Sequence, residues 1–417
     1  MPPGDWRRRY LARVPETVRR RREASIGPIP DPGGCAKLAS MILAELPFDS
    51  GTMLAGLKRW VERESPTFEP HAVNAMMDLA SGDLAAAGAV VERIAGPAGL
   101  GDCVRASFPH PRRGEPGVLV MGHLDTVHAL GTLEKLPFRR EGELAYGPGV
   151  LDMKGGIFLA LEAIATLRRI GVETPLPVSM LLTSDEEIGS PGCRAIIEAE
   201  AAKHAYVLVP EPANLDGGLV TGRYAIARFD MEATGLSSHA GADLRKGRSA
   251  IAEMARRIGD IEAMTGDDCT FSVGVIHGGR WVNCVPQSCK AEALSMAKRQ
   301  RDLDDGVDRM LALTSVDADG MGFRVSRGVT RPVWEPSAAT MAMFEIAHEV
   351  ARDLGFELTH GSAGAGSDAN FTGAMGIPSL DGLGVCGEGW HTLQEHIVVD
   401  SLAQRARLMA GLLTRLS

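Results

Sequence analysis

Apolar positions along the chain change rhythm twice. Three- and four-residue spacing predicts helices over 53–63, 83–94 and 155–169. Short continuous apolar runs at 118–121, 178–183 and 205–209 predict buried strands among them. Strands alternating with helices predict a largely parallel sheet covered on both faces. The middle third reads differently. Over 225–234, Ile226, Arg228, Asp230 and Glu232 alternate with Ala227, Phe229, Met231 and Ala233, which predicts a half-exposed strand. Strands at 271–277, 289–297 and 323–327, with helices at 248–264 and 307–313, continue an antiparallel α+β pattern and predict a separate domain. A helix over 337–354 returns to the first style.

Composition narrows what such a chain can do. Its 417 residues exceed the length at which single cores stop growing, so two domains are expected. A net charge of -9 and an aromatic content of 5% argue against nucleic-acid binding. The 7 cysteines are scattered without a C-x-x-C pair, which suggests neither a thiolate metal site nor a disulfide framework, and fits a reducing compartment. No apolar run has membrane-spanning length, and 38–46 is a poor signal-peptide core, so a cytoplasmic protein off the membrane is expected. Residues 1–40 are Arg-rich and then Pro/Gly-rich, and read as a disordered extension, with a basic tether as the alternative.

Five segments put acids or histidines where strands end, the place where open α/β sheets form sites. His123 and Asp125 follow the run at 118–121. Asp152 lies in the glycine-rich stretch 147–156, where it could cap a helix or hold a metal. Asp185, Glu186 and Glu187 are three successive acids after the run at 178–183. Their mutual repulsion calls for a cation, and one of them could serve as general base. Glu211 follows the run at 205–209. His391 sits in a Gly-Trp-His-Thr segment near the C-terminus, with His396 looking like part of a packed strand. Each segment alone could be an ordinary turn. No H-E-x-x-H, Walker or G-x-S-x-G motif competes with them. Oxygen and nitrogen donors without thiolate suit zinc, with cobalt or manganese as alternatives.

Taken in order, with steps of 29, 35 and 24 residues from His123 through Asp152 and Glu187 to Glu211, the segments resemble the M20 metallopeptidase family, and most of all its glutamate carboxypeptidase branch. The resemblance runs from about residue 41 to 417. It implies an α/β, zinc-peptidase-like catalytic domain with a mainly parallel central sheet (41–221 and 332–417), interrupted by an α+β lid or dimerisation domain (222–331). It implies two zinc ions sharing Asp152, one also held by His123 and Glu211, the other by Glu187 and His391. Asp125 would support His123, and Glu186 would be the general base. It further implies substrate contacts from Arg331 to an α-carboxylate, from Asn283, and from His239, often lent across a homodimer.

The resemblance also has a gap. Where relatives carry an Asp-x-Arg strand, this chain has Leu294, Ser295 and Met296, which puts the substrate side chain in doubt. The expected activity is release of a C-terminal amino acid from a substrate with a free carboxylate. An N-acyl-amino-acid deacylase of the acetylornithine or succinyl-diaminopimelate type is the alternative. A non-catalytic binding protein on the same fold is the remote one, disfavoured by the presence of Asp125 and Glu186.

Overall fold

The computed structural model describes residues 43–97 and 99–417. The expectations for residues 1–40 lie outside the described residues. A six-stranded sheet runs in the order Val90–Ile94, Cys103–Ser107, Val178–Thr183, Val118–His123, Tyr206–Leu208, Ser379–Leu380. The last four strands are mutually parallel, and the first two form an antiparallel edge. Val118–His123 lies at the centre with all six residues buried, as a strand covered on both faces requires. Its pairing sets His123 beside Thr183, so the acids that follow Thr183 emerge next to the histidine.

Helices close both faces. Asp49 caps Ser50–Val61 by accepting from the Thr52 amide at 2.7 Å, and Ser337 caps Ala338–Asp353 through the Thr340 amide at 3.0 Å. Leu57, Trp60, Met76, Leu119, Leu159 and Leu408 share one continuous core, with Trp60 edge-on to Phe158 at 5.5 Å. The last helix, Ser401–Arg415, packs on Gly155–Arg169. The helix expected over 83–94 is a correction. The helix is Pro70–Ala86, and a strand begins at Val90. Gly88 takes the left-handed backbone (φ +88°) that ends the helix, and the β-branched pair Val90–Val91 then favours extension.

The middle third forms a second sheet, wholly antiparallel, in the order Cys269–Gly278, Ser288–Ala297, Ala225–Thr234, Gly322–Arg331, Ser315–Val316. Along Ala225–Thr234 the alternation is kept: Ala227, Phe229, Met231 and Ala233 are buried, whereas Arg228, Asp230 and Glu232 face out. Helices Ala250–Glu262 and Gln300–Ala312 cover the buried face, and Phe229, Met254, Phe271, Leu303 and Phe323 make a core separate from the first. The fold is thus α/β with a mixed central sheet and an inserted α+β unit.

Two further features position the site. A four-stranded sheet pairs His396–Val398 with Leu144–Tyr146, bringing the C-terminal loop beside the glycine-rich loop at 147–152. Gly156 opens helix Gly155–Arg169 against the Pro210 carbonyl. A Cβ there would stand 1.8 Å from that oxygen, so only glycine lets the Glu211 loop close in. Among the described residues no helix is long and apolar enough to cross a membrane. Among the described residues the cysteines are free, yet not all scattered: the buried thiols of Cys103 and Cys193 lie 3.0 Å apart.

Candidate metal centre

The C-terminal ends of three strands and the C-terminal loop converge on Asp152. Its carboxylate does not cap a helix. Asp152 is extended (φ -111°, ψ 96°), and the α-helix begins only at Gly155. Instead Oδ1 faces His123 Nε2 at 3.2 Å, and Oδ2 faces His391 Nε2 at 3.2 Å. Glu211 approaches His123 Nε2 at 3.8 Å, and Glu187 approaches His391 Nε2 at 3.2 Å. One carboxylate therefore stands between two histidine–glutamate pairs. His123, Asp152 and Glu187 each turn a donor atom into a group that spans no more than 4.8 Å. His391 holds its place in left-handed backbone (φ 61°), an uncommon conformation for a residue with a side chain. His396 instead contacts the Gln394 carbonyl and the Tyr146 ring, away from this cluster.

The electrostatics fit a cation. Burial pushes Glu211 well above the ordinary carboxylate range and Glu187 upward as well, with the Asp152 charge adding to both. Burial also works against the charged form of Asp152, but its hydrogen bonds to His123 and His391 outweigh this and hold it low. His391 is raised to about 10 by its hydrogen bonds to Asp152 and Glu187. Carboxylates in so small a space need positive charge, and the oxygen and nitrogen donor set suits a divalent metal. On His123, Nδ1 lies 2.9 Å from the Asp125 backbone carbonyl. A carbonyl only accepts, so Nδ1 carries a proton; Nε2, which hydrogen-bonds to the Asp152 carboxylate, would give up its own proton to offer a lone pair to a metal.

Asp125 was expected to orient His123 with its carboxylate. That carboxylate is farther from the ring, at 3.4 Å. It also accepts from Thr67 Oγ1 at 2.7 Å and from the amides of Glu186 and Glu187 at 3.3 and 3.4 Å, so it fixes the acidic loop as well. Glu186 is pushed up to about 8 by burial, against the pull of Arg331 and His123.

Arg331 is at odds with the expected free carboxylate fork. Only 4% exposed, it donates from Nη2 to Glu186 Oε1 at 2.7 Å and from Nη1 to Asp368 Oδ1 at 3.0 Å, beneath the Phe371 ring. Two buried acids need a counter-charge, and the end of strand Gly322–Arg331 supplies it. Replacing Arg331 by Met should therefore cost about 3–5 kcal/mol of stability, read from the urea midpoint, because both carboxylates lose their partner. An unchanged midpoint would mean that the pair is not formed in solution.

His239 and Asn283 are not joined to the cluster. They are neighbours on paired segments, with the Ala240 amide donating to the Asn283 carbonyl at 2.9 Å. Both are exposed. His239 Nδ1 accepts from the Gly241 and Ala242 amides. The Gly366-Ser367-Asp368 loop is read from the resemblance as lying beside the site, whereas no role is read from sequence for Ser190 or Thr67. Asp368 lies in the Gly-Ser-Asp loop and binds Thr183, Ser190 and Arg331. Short polar residues of this kind leave no periodic signal.

Comparison with known proteins bears on the family and the fold. The family model described as peptidase family M20/M25/M40 matches residues 119–415. A carboxypeptidase G2 from Pseudomonas sp. (strain RS-16) is 31% identical over 72% of this chain and 74% of its own. A succinyl-diaminopimelate desuccinylase from Dechloromonas aromatica (strain RCB) is 28% identical over 73% of this chain and 85% of its own. The crystal structure of aminopeptidase PepT from Bacillus cereus ATCC 10987 superposes with a TM-score of 0.69 at 22% identity, over 88% of this chain and 98% of that one. The fold and the site define a metallopeptidase-class hydrolase. The chain belongs to peptidase family M20/M25/M40.

Proposed function

We propose that the protein hydrolyses an amide bond to release a C-terminal amino acid, as a two-metal enzyme of carboxypeptidase type. The observation that carries this reading is the Asp152 carboxylate, set 3.2 Å from His123 on one oxygen and 3.2 Å from His391 on the other. His123 with Glu211, and Glu187 with His391, would each hold one divalent ion, zinc before cobalt or manganese, with Asp152 shared. Such ions supply Lewis-acid activation of water and of the scissile carbonyl. Glu186 takes the proton from the attacking water and delivers it to the departing amine. Arg331 orients Glu186 and holds its charge, and Asp125 fixes the loop that carries it. Arg331 grips a substrate carboxylate only by exchanging one of these contacts.

The inserted unit, 222–331, is proposed to act as lid and dimerisation surface. Support comes from its edge strand Cys269–Gly278, which exposes Val275 and Ile276, and from Trp281 and Val282 in the following loop. An open strand edge with apolar neighbours is a ready pairing surface. His239 and Asn283 beside it would then serve the partner's site in a homodimer.

The likeness to a desuccinylase keeps deacylation as the second reading. A panel of N-acyl- and N-aroyl-glutamates against N-acetylornithine and N-succinyl-diaminopimelate separates the two. Glutamate release with kcat/KM at least tenfold above the others is expected. Preference for either of the latter would overturn the carboxypeptidase reading while leaving the metal centre standing.

A further inference from the structure

We infer that Glu395 is a positioning residue that, together with His128, holds the Asp152 loop in its metal-binding shape. Glu395 is fully buried. Its Oε1 accepts from the amides of Leu151 at 2.9 Å and Asp152 at 3.1 Å. Its Oε2 accepts from the Gly149 amide at 2.9 Å and meets His128 Nε2 at 2.6 Å. Two contacts on each oxygen use the full accepting capacity of a carboxylate. The Glu395 carbonyl also accepts from the Gly147 amide at 3.3 Å.

What this one side chain ties together gives it its meaning. His128 lies five positions after His123, the Gly149–Asp152 backbone carries the shared carboxylate, and Glu395 itself lies four positions after His391. Three segments that each bring a donor to the cluster are thus fastened at one buried point. The Asp152 amide is held directly, so the direction in which the Asp152 side chain leaves the backbone depends on Glu395. A methyl group in its place would leave three buried amides without acceptors. The loop would have to turn to find others, and the carboxylate that faces both histidines would turn with it. A structural fastener alone would lower stability. A positioning residue also changes how tightly and in what geometry a metal is held.

This inference rests on the metal-centre reading above. The test uses the full chain with Co2+ as probe. Affinity is read by competition with a chromophoric chelator, and geometry by the visible d–d absorption of Co2+. Glu395→Ala is expected to weaken Co2+ binding about 10–100-fold and to shift the absorption band. Glu395→Gln, which keeps one accepting oxygen, should fall between it and the parent. If Glu395→Ala does not fold, as judged by near-UV circular dichroism, Glu395→Gln and His128→Gln carry the same readouts. Folded variants that bind Co2+ within twofold of the parent, with an unchanged band, would overturn the inference even if their melting temperatures fall. A parent protein that binds no Co2+ would overturn the metal-centre reading itself, and this inference with it.

Discussion

Exchanging Glu186 for Gln should lower kcat by about 10²–10⁴-fold, the range in which general acid–base groups contribute. The substitution keeps the shape of the side chain and an oxygen for Arg331 Nη2, which now lies 2.7 Å from Oε1. It removes the capacity to take a proton. Metal content should be unchanged, because Glu186 is not among the groups that face Asp152. The pH profile adds a second reading. Burial raises Glu186 to about 8, and only the deprotonated carboxylate accepts a proton. The parent's kcat/KM should therefore climb as pH rises through the range below that value, and the Gln variant should lose this limb. Retention of more than a tenth of kcat in the variant would move the base elsewhere.

Asp152→Asn carries the second large effect. Each Asp152 oxygen faces a different histidine at 3.2 Å, so this carboxylate joins the two halves of the cluster. An amide presents one oxygen and one NH2, and the NH2 has no lone pair to give. One half of the cluster must lose its shared donor. Bound metal, by elemental analysis, should fall from two ions per chain to one or none. Lewis-acid activation by metals is worth several kcal/mol, and each 1.36 kcal/mol is tenfold, so activity should drop about 10³-fold or more. Two ions retained at parental affinity would show that Asp152 does not bridge them.

Several of these residues could be read from sequence because they follow apolar runs. His123, Glu187 and Glu211 come just after continuous buried strands, whose ends the apolar pattern marks well. The alternation over 225–234 similarly marks a strand of the second sheet. What stayed hidden depends on long-range pairing. The strand Leu144–Tyr146 is three residues long, and its partner His396–Val398 lies some 250 residues on, so no local pattern declares the sheet that seats His391. Glu395 is a lone acid in an unremarkable loop until Gly149, Leu151 and Asp152 fold onto it. Arg331 is read from sequence as a substrate contact, but its partners in the fold, Glu186 and Asp368, come from 145 and 37 positions away. Its being occupied by them is a property of packing that sequence order does not carry. The helix expected over 83–94 failed for a local reason, the left-handed turn at Gly88.

The central claim is that one carboxylate joins two metal sites, and anomalous X-ray diffraction at the zinc edge from crystals grown with Zn2+ tests it most directly. The expected map has two peaks roughly 3.5–4 Å apart on opposite sides of the Asp152 carboxylate, the usual spacing of paired catalytic metals. His123 and Glu211 should lie at one peak, and Glu187 and His391 at the other. A single peak, or peaks that Asp152 does not separate, would contradict the account.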